Sequence, residues 1–333
     1  MKKLFKRLLV GLVLGAGVYA CGAIYLGMEK LGASLASFDY WLFLPVLGLT
    51  LGNYFLRYLR WALYLRVLDV RVPALLNAVV FLGGLSMNIT PGKIGELLKA
   101  YLLRESCGVP MARTAPVVIA ERVTDLAALV LLMLTGFFTF RRFQGVLFGV
   151  GGVIVLFLVV VSSRRLSMAV LRLIARLPGL SRLGSKLEEF YEATAALFRP
   201  GPLALATLLG VAAWCCECLG FYLVVGGFPG AHAPLLLAVF IYSATTLGGV
   251  VTPGGIGVTD GGMTALLSFA AALTAATAGA ATLIIRLCTL WFAVLVGVIA
   301  LLIFRGRVGL SDDVADALGS RSLGAPSEND RAA

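Results

Sequence analysis

Charge is scarce in this chain of 333 residues: Asp, Glu, Lys and Arg make up 14%, against roughly 25% in soluble domains. Hydrophobic residues reach 60%, so a water-soluble enzyme is excluded. Histidine is almost absent. His232 stands alone in a Gly/Pro-rich loop, which leaves no raw material for His-dependent membrane phosphatases or multi-histidine metal sites. The cysteines Cys21, Cys107, Cys215, Cys216, Cys218 and Cys288 lie in or beside apolar segments without paired loop spacing, so no secreted disulfide framework is encoded. Missing too is the alternating pattern of an outer-membrane barrel. The basic start MKKLFKRLLV leads into an apolar run with no small-x-small cleavage site, and reads as a retained first helix.

What is present is a series of apolar stretches, each long enough to cross a hydrocarbon core of roughly 30 Å as a helix. The fold class is therefore all-α, a polytopic integral membrane protein. Spans are expected at 8–28, 41–60, 116–139, 143–163, 201–226 and 279–304. With the N-terminus inside, most of the basic residues outside these spans, from Lys2 and Lys3 through Arg164 and Arg165 to Arg305 and Arg307, fall on the cytoplasmic side. The outer side keeps Lys30, Arg141 and Arg142. This asymmetry follows the positive-inside rule and puts both termini in the cytoplasm. It also accounts for the net charge of +11 without nucleic acid as a partner.

Two apolar stretches, 73–105 and 234–272, are broken in the middle by Gly and Pro, and they resemble each other: TPGKIG at 90–95 is matched by TPGGIG at 252–257. The likeness continues to Arg122 in VIAERVTDLAALV and Arg286 in LIIRLCTLWFAV, with an offset of two residues. This is an internal repeat, about 41–139 and 201–304. An odd number of crossings between the broken segments inverts the second relative to the first. Each segment is then expected to form a re-entrant hairpin, the two tips meeting near the midplane, and Gly/Pro-interrupted segments in matching positions of inverted halves point to a transport site. Thr90–Pro91 and Thr252–Pro253 read as an N-cap followed by the first helical residue, which would aim two helix N-termini at a central anion. The alternative is a pair of ordinary loops between short helices.

Charges inside apolar sequence cost about 2.5 kcal/mol or more each at a helix centre on insertion scales, so each needs a reason. Lys93 and Glu96 share a face of the arm after Pro91, and Lys93 is the first choice for a phosphate ligand. Lys99 and Arg104, further along, are expected at the interface. Glu121, Arg122 and Asp125 form a compact cluster on one helix face, read either as a ligand site or as a structural network. Arg286 has no acid within four positions, although Asp260 or Glu217 is in reach. Glu217 itself is a candidate for protonation, for pairing with an arginine or for proton relay. Asn88, Gly92, Gly254 and Gly255 complete the candidate substrate site at the tips.

Weaker signals lie elsewhere. Residues 164–199 read as a cytoplasmic amphipathic helix on anionic lipid or as a plain connector. Residues 308–333 read as a polar, disordered tail whose DDVAD at 312–316 is a solvated helix start. Three thiols at 215, 216 and 218 diverge around one turn, so helix packing is preferred over a soft-metal site. No metal or cofactor is expected.

The block NITPGKIGELLKAYLL, then VIAERVTDLAAL and a later TPGGIGVTDGG, resembles the transmembrane flippase-like family of lysylphosphatidylglycerol synthases, which includes stand-alone proteins linked to hopanoid biosynthesis. The likeness runs from about residue 8 to 305. It implies a bacterial inner-membrane protein that translocates or handles lipids, with a membrane lipid of anionic or zwitterionic head group as partner. One departure stands out: Thr259 and Asp260 follow GIGV where an Arg or Lys and then Glu would be expected. The synthase's soluble aminoacyl-transfer domain has no counterpart in the short tail. The reading is a lipid flippase or lipid-handling transporter and not an enzyme. The rivals are an ion-coupled transporter of a small anionic solute and a non-catalytic partner of a lipid or glycan synthesis enzyme. An intramembrane enzyme lacks a nucleophile and base pair.

Overall fold

The computed structural model describes residues 15–90, 95–136, 152, 184–250 and 252–308, which are helix, turn or loop throughout. Helix α1, Gly15–Leu26, stops at Gly27, whose φ of 83° ends the helix before α2, Met28–Ala36. The span expected at 8–28 is therefore broken near its end. Asp39 accepts a hydrogen bond from the Trp41 N–H and opens a short 3-10 turn that leads into α3, Phe43–Val67. Next come α4, Ala74–Leu85, and α5, Leu98–Cys107, which ends on left-handed Gly108. Helix α6, Met111–Met133, starts before the expected span and tolerates Pro116 near its beginning.

The second half repeats this order. After α7, Gly184–Leu197, helix α8 opens with Pro200 in its first turn and runs Pro200–Gly226. Then follow α9, Leu235–Gly248, and α10, Val258–Ala270. Helix α11, Ala275–Arg286, passes through a π-helical turn at Leu287–Trp291 into α12, Phe292–Val308.

Among the described residues, three helical stretches are long and apolar enough to cross a membrane: Tyr40–Val67, Pro200–Gly226 and Ala275–Arg305. Their outward faces carry exposed Leu51, Phe55, Leu208, Leu295 and Leu302, a surface suited to lipid rather than water. The span expected at 143–163, the start of the connector and the tail from 309 lie outside the described residues. The described end of the connector, α7, packs against α6 and buries Leu197 in the protein core.

The halves pack reciprocally. Helix α12 of the second half lies on α4 of the first, and α6 of the first half lies on α9 of the second. Helices α3 and α8, the opening helices of the two halves, run antiparallel: Val46 meets Gly220, Gly52 meets Cys216 and Arg60 meets Gly210. That is the direction an inverted relation requires. Two apolar cores result, one around Trp61, Phe81, Leu102, Val117 and Phe304, the other around Val46, Leu129, Phe221, Ile241 and Ile285. Each takes in residues from helices of the opposite half, which ties the halves into one packed body.

Candidate functional site

Each expected broken segment has a helix on either side of a break whose described residues are turns, bends and 3-10 helix, and the two breaks touch. A Cβ added at Gly254 would sit 3.4 Å from the Ile89 Cα. Around this contact lies a cavity of about 270 Å³ whose polar lining includes Arg57, Asn88, Arg122, Asp125, Glu217 and Arg286. Tyr54, Trp214 and Tyr242 supply aromatic wall. The cavity is thus cationic on several sides and enclosed largely by apolar helix, a setting in which charge interactions are stronger than in water.

On the first-half side, four cations face three carboxylates among the described residues. Glu96 receives Arg122 Nη2 at 3.0 and 3.1 Å and Lys99 Nζ at 3.1 Å. Lys99 also reaches Glu121 at 2.5 Å, and its ammonium stands 4.7 Å from the centre of the Trp61 ring. Asp125 pairs with Arg60 at 2.7 Å and with Arg122 at 3.2 Å, and accepts from Trp214 Nε1 at 3.2 Å. Arg57 comes within 3.6 Å of Glu96. Buried ion pairs recover their desolvation cost only when so densely cross-connected, and removing one partner from such a pair typically costs 3–5 kcal/mol.

The second-half side is simpler. Arg286 Nε lies 2.7 Å from Asp260 Oδ1, and the guanidinium donates to the Gly254 carbonyl at the tip. Asp260 Oδ2 accepts from the Gly257 N–H at 3.0 Å. One ion pair therefore fastens both the bend and the start of α10. Across the cavity, Tyr242 donates to Glu217 at 2.6 Å.

Of the expected site residues, Asn88, Arg122, Asp125, Arg286, Gly254 and Gly255 come together on the cavity. Glu96 and Glu121 stand behind it, bound to Lys99. Asp260 lines a second, mostly apolar cavity of about 430 Å³ between α1, α10 and α11, so its pair with Arg286 stands between the two spaces. Lys93 and Gly92 lie outside the described residues.

Two expectations are corrected. Lys99 is not interfacial; it is 1% exposed, because its charge is satisfied by two carboxylates. Nor does Thr252–Pro253 start the second arm. It starts a 3-10 turn that Gly254, at φ 60°, bends away, and α10 begins at Val258. The N-terminus of α10 is already served by the Asp260 carboxylate, and Thr90 turns its hydroxyl back to the Met87 carbonyl while accepting from the Gly95 N–H. The positive groups on the cavity are thus arginines rather than free helix ends. Sequence reasoning missed Arg57 and Arg60, two arginines at i and i+3 inside an apolar run, which is itself the signal that would have found them. Cys218 is buried in the second core, and no group of three or more potential metal ligands forms among the described residues.

No curated protein matches the sequence. The lysylphosphatidylglycerol synthase TM region family matches residues 8–297, which takes in both broken segments and every cavity residue named above. The chain belongs to this family of lysylphosphatidylglycerol synthase transmembrane regions.

Proposed function

We propose that the chain is a lipid flippase or lipid-handling transporter that moves a phospholipid or related lipid head group between the leaflets of a bacterial inner membrane, with both termini cytoplasmic and no covalent chemistry. The observation that carries this reading is the meeting of Arg122 and Arg286, from matching positions of the two halves, on one cavity between the broken helices. A phosphate leaving water needs charge-assisted hydrogen bonds to replace its hydration, and guanidinium groups provide them in planar pairs. The antiparallel run of α3 and α8 supports inverted halves, so one half would face the head group from each leaflet. On this reading the breaks are the tips of re-entrant hairpins, which protein covers from lipid.

The test is head-group translocation by the purified chain in proteoliposomes, followed with fluorescent phospholipids and compared with protein-free vesicles. Protein-dependent movement is the expected result.

A second reading, an ion-coupled transporter of a small anionic solute, is favoured by one observation. Glu217 lines the same cavity and accepts a hydrogen bond from Tyr242, which puts a carboxylate of the kind that couples protons on the cavity wall. Uptake of soluble anions by the same vesicles, driven by a proton gradient and without lipid movement, would select it.

A further inference from the structure

The cations around the first tip are not equally engaged. Arg122 and Lys99 occupy both oxygens of Glu96, and Arg60 and Arg122 share Asp125. Arg57 has Glu96 as its nearest carboxylate at 3.6 Å, beyond hydrogen-bond distance, and at 4% exposed it keeps its Nε and Nη2 buried without a hydrogen bond, whereas Arg60 and Arg122, which also bury an unbonded Nε, each hold a carboxylate at 2.7 to 3.0 Å. It lines the cavity. On the same cavity Asn88, 5% exposed, holds its Oδ1 buried with no donor. Buried polar groups without partners cost stability, and such groups in an enclosed site mark places where a ligand completes the bonding. Arginine donors lacking an acceptor and an amide oxygen lacking a donor thus belong to residues that line one cavity.

We propose that Arg57 and Asn88 form a head-group subsite: Arg57 binds the phosphodiester oxygens, and Asn88 Oδ1 accepts from an O–H or N–H group on the alcohol esterified to that phosphate. The inference rests on the lipid reading above and deepens it. It assigns the phosphate to the cation of this cluster whose nearest carboxylate stands furthest off, and it makes a donor in the head group a requirement for tight binding. A trimethylammonium head group has no such donor. Site preferences built on hydrogen bonds are the sharp ones, because the wrong ligand leaves a buried group unpaired.

The test is titration of the purified full-length chain with dihexanoylphosphatidylglycerol, dihexanoylphosphatidylcholine and inorganic phosphate, with melting temperature measured on the same samples. Wild type should bind the glycerol lipid more tightly than the choline lipid. Arg57→Gln should weaken binding of both lipids by roughly tenfold to a hundredfold, as loss of a charged hydrogen bond does. Arg57→Lys should recover part of it, and Asn88→Leu should abolish the preference between the lipids. Arg57→Gln binding as wild type overturns the subsite and leaves the lipid reading standing. Wild type binding inorganic phosphate through Arg57 but neither lipid overturns the lipid reading and this extension of it, leaving a phosphate site. A purely structural Arg57 predicts a lowered melting temperature with unchanged affinity in the folded fraction, and that outcome also overturns the proposal.

Discussion

Arg286 and Asp260 are 26 positions apart in sequence, as are Arg122 and Glu96, and both pairs close to hydrogen-bonding distance, at 2.7 and 3.0 Å. Each half thus uses the same device: an acid just beyond the break is held by an arginine on the helix that follows. In the second half the arginine also grips the Gly254 carbonyl. Breaking this pair with Asp260→Asn should destabilise the protein by about 3–5 kcal/mol, because a buried guanidinium loses its counter-charge. Adding Arg286→Gln should restore much of that loss. Urea or thermal unfolding of both variants in detergent checks the pair.

Lys99 should matter more to folding than Arg122. Lys99→Met strands Glu121 and weakens Glu96, a loss of about 3–5 kcal/mol, whereas Arg122→Gln leaves Glu96 with Lys99 and Asp125 with Arg60. Melting temperatures of the two variants should rank in that order. An equal fall in both would mean that the cluster does not divide its charges as the distances say.

The break itself is open to test at Gly254. A β-branched residue at φ 60° is strained by roughly 1–3 kcal/mol, and its side chain would press toward Ile89 on the other tip. Gly254→Val should insert into the membrane and lose translocation. Full activity in that variant would make the break an ordinary loop.

How much of this was readable in advance follows from physical cost. Gly and Pro inside apolar runs, and arginines inside spans, are expensive enough to stand out, so the two TPG breaks, Arg122, Arg286 and their nearness to one another were legible. Arg57 and Arg60 carry the same signal and were overlooked, because the run before them reads as a plain span that ends at Arg60. The place of Lys99 depends on Glu121, 22 residues away on another helix, and no local pattern encodes that contact. The equal spacing of the two acid–arginine pairs was present in the sequence. It was masked because Asp260 sits two positions later relative to its TPG than Glu96 does. The Thr252–Pro253 signature misled because Gly254 and Gly255 take a left-handed backbone and end the turn before a helix starts.

Inversion of the halves makes a topological prediction. Cys107, exposed at the end of α5, should react with a membrane-impermeant thiol reagent only from the cytoplasmic side, and His232→Cys, exposed before α9, only from outside. Right-side-out and inverted vesicles separate the two. Labelling of both from one side would contradict the inverted arrangement.

The central claim, that arginines from both halves carry a lipid head group through one cavity, is tested most directly by phospholipid translocation in proteoliposomes reconstituted with wild type, Arg122→Gln or Arg286→Gln at equal folded amounts. Loss of one charged hydrogen bond should slow translocation roughly tenfold or more in each variant, with the wild-type chain active alone. Wild-type rates in both variants, or no protein-dependent movement of any phospholipid, would contradict the account.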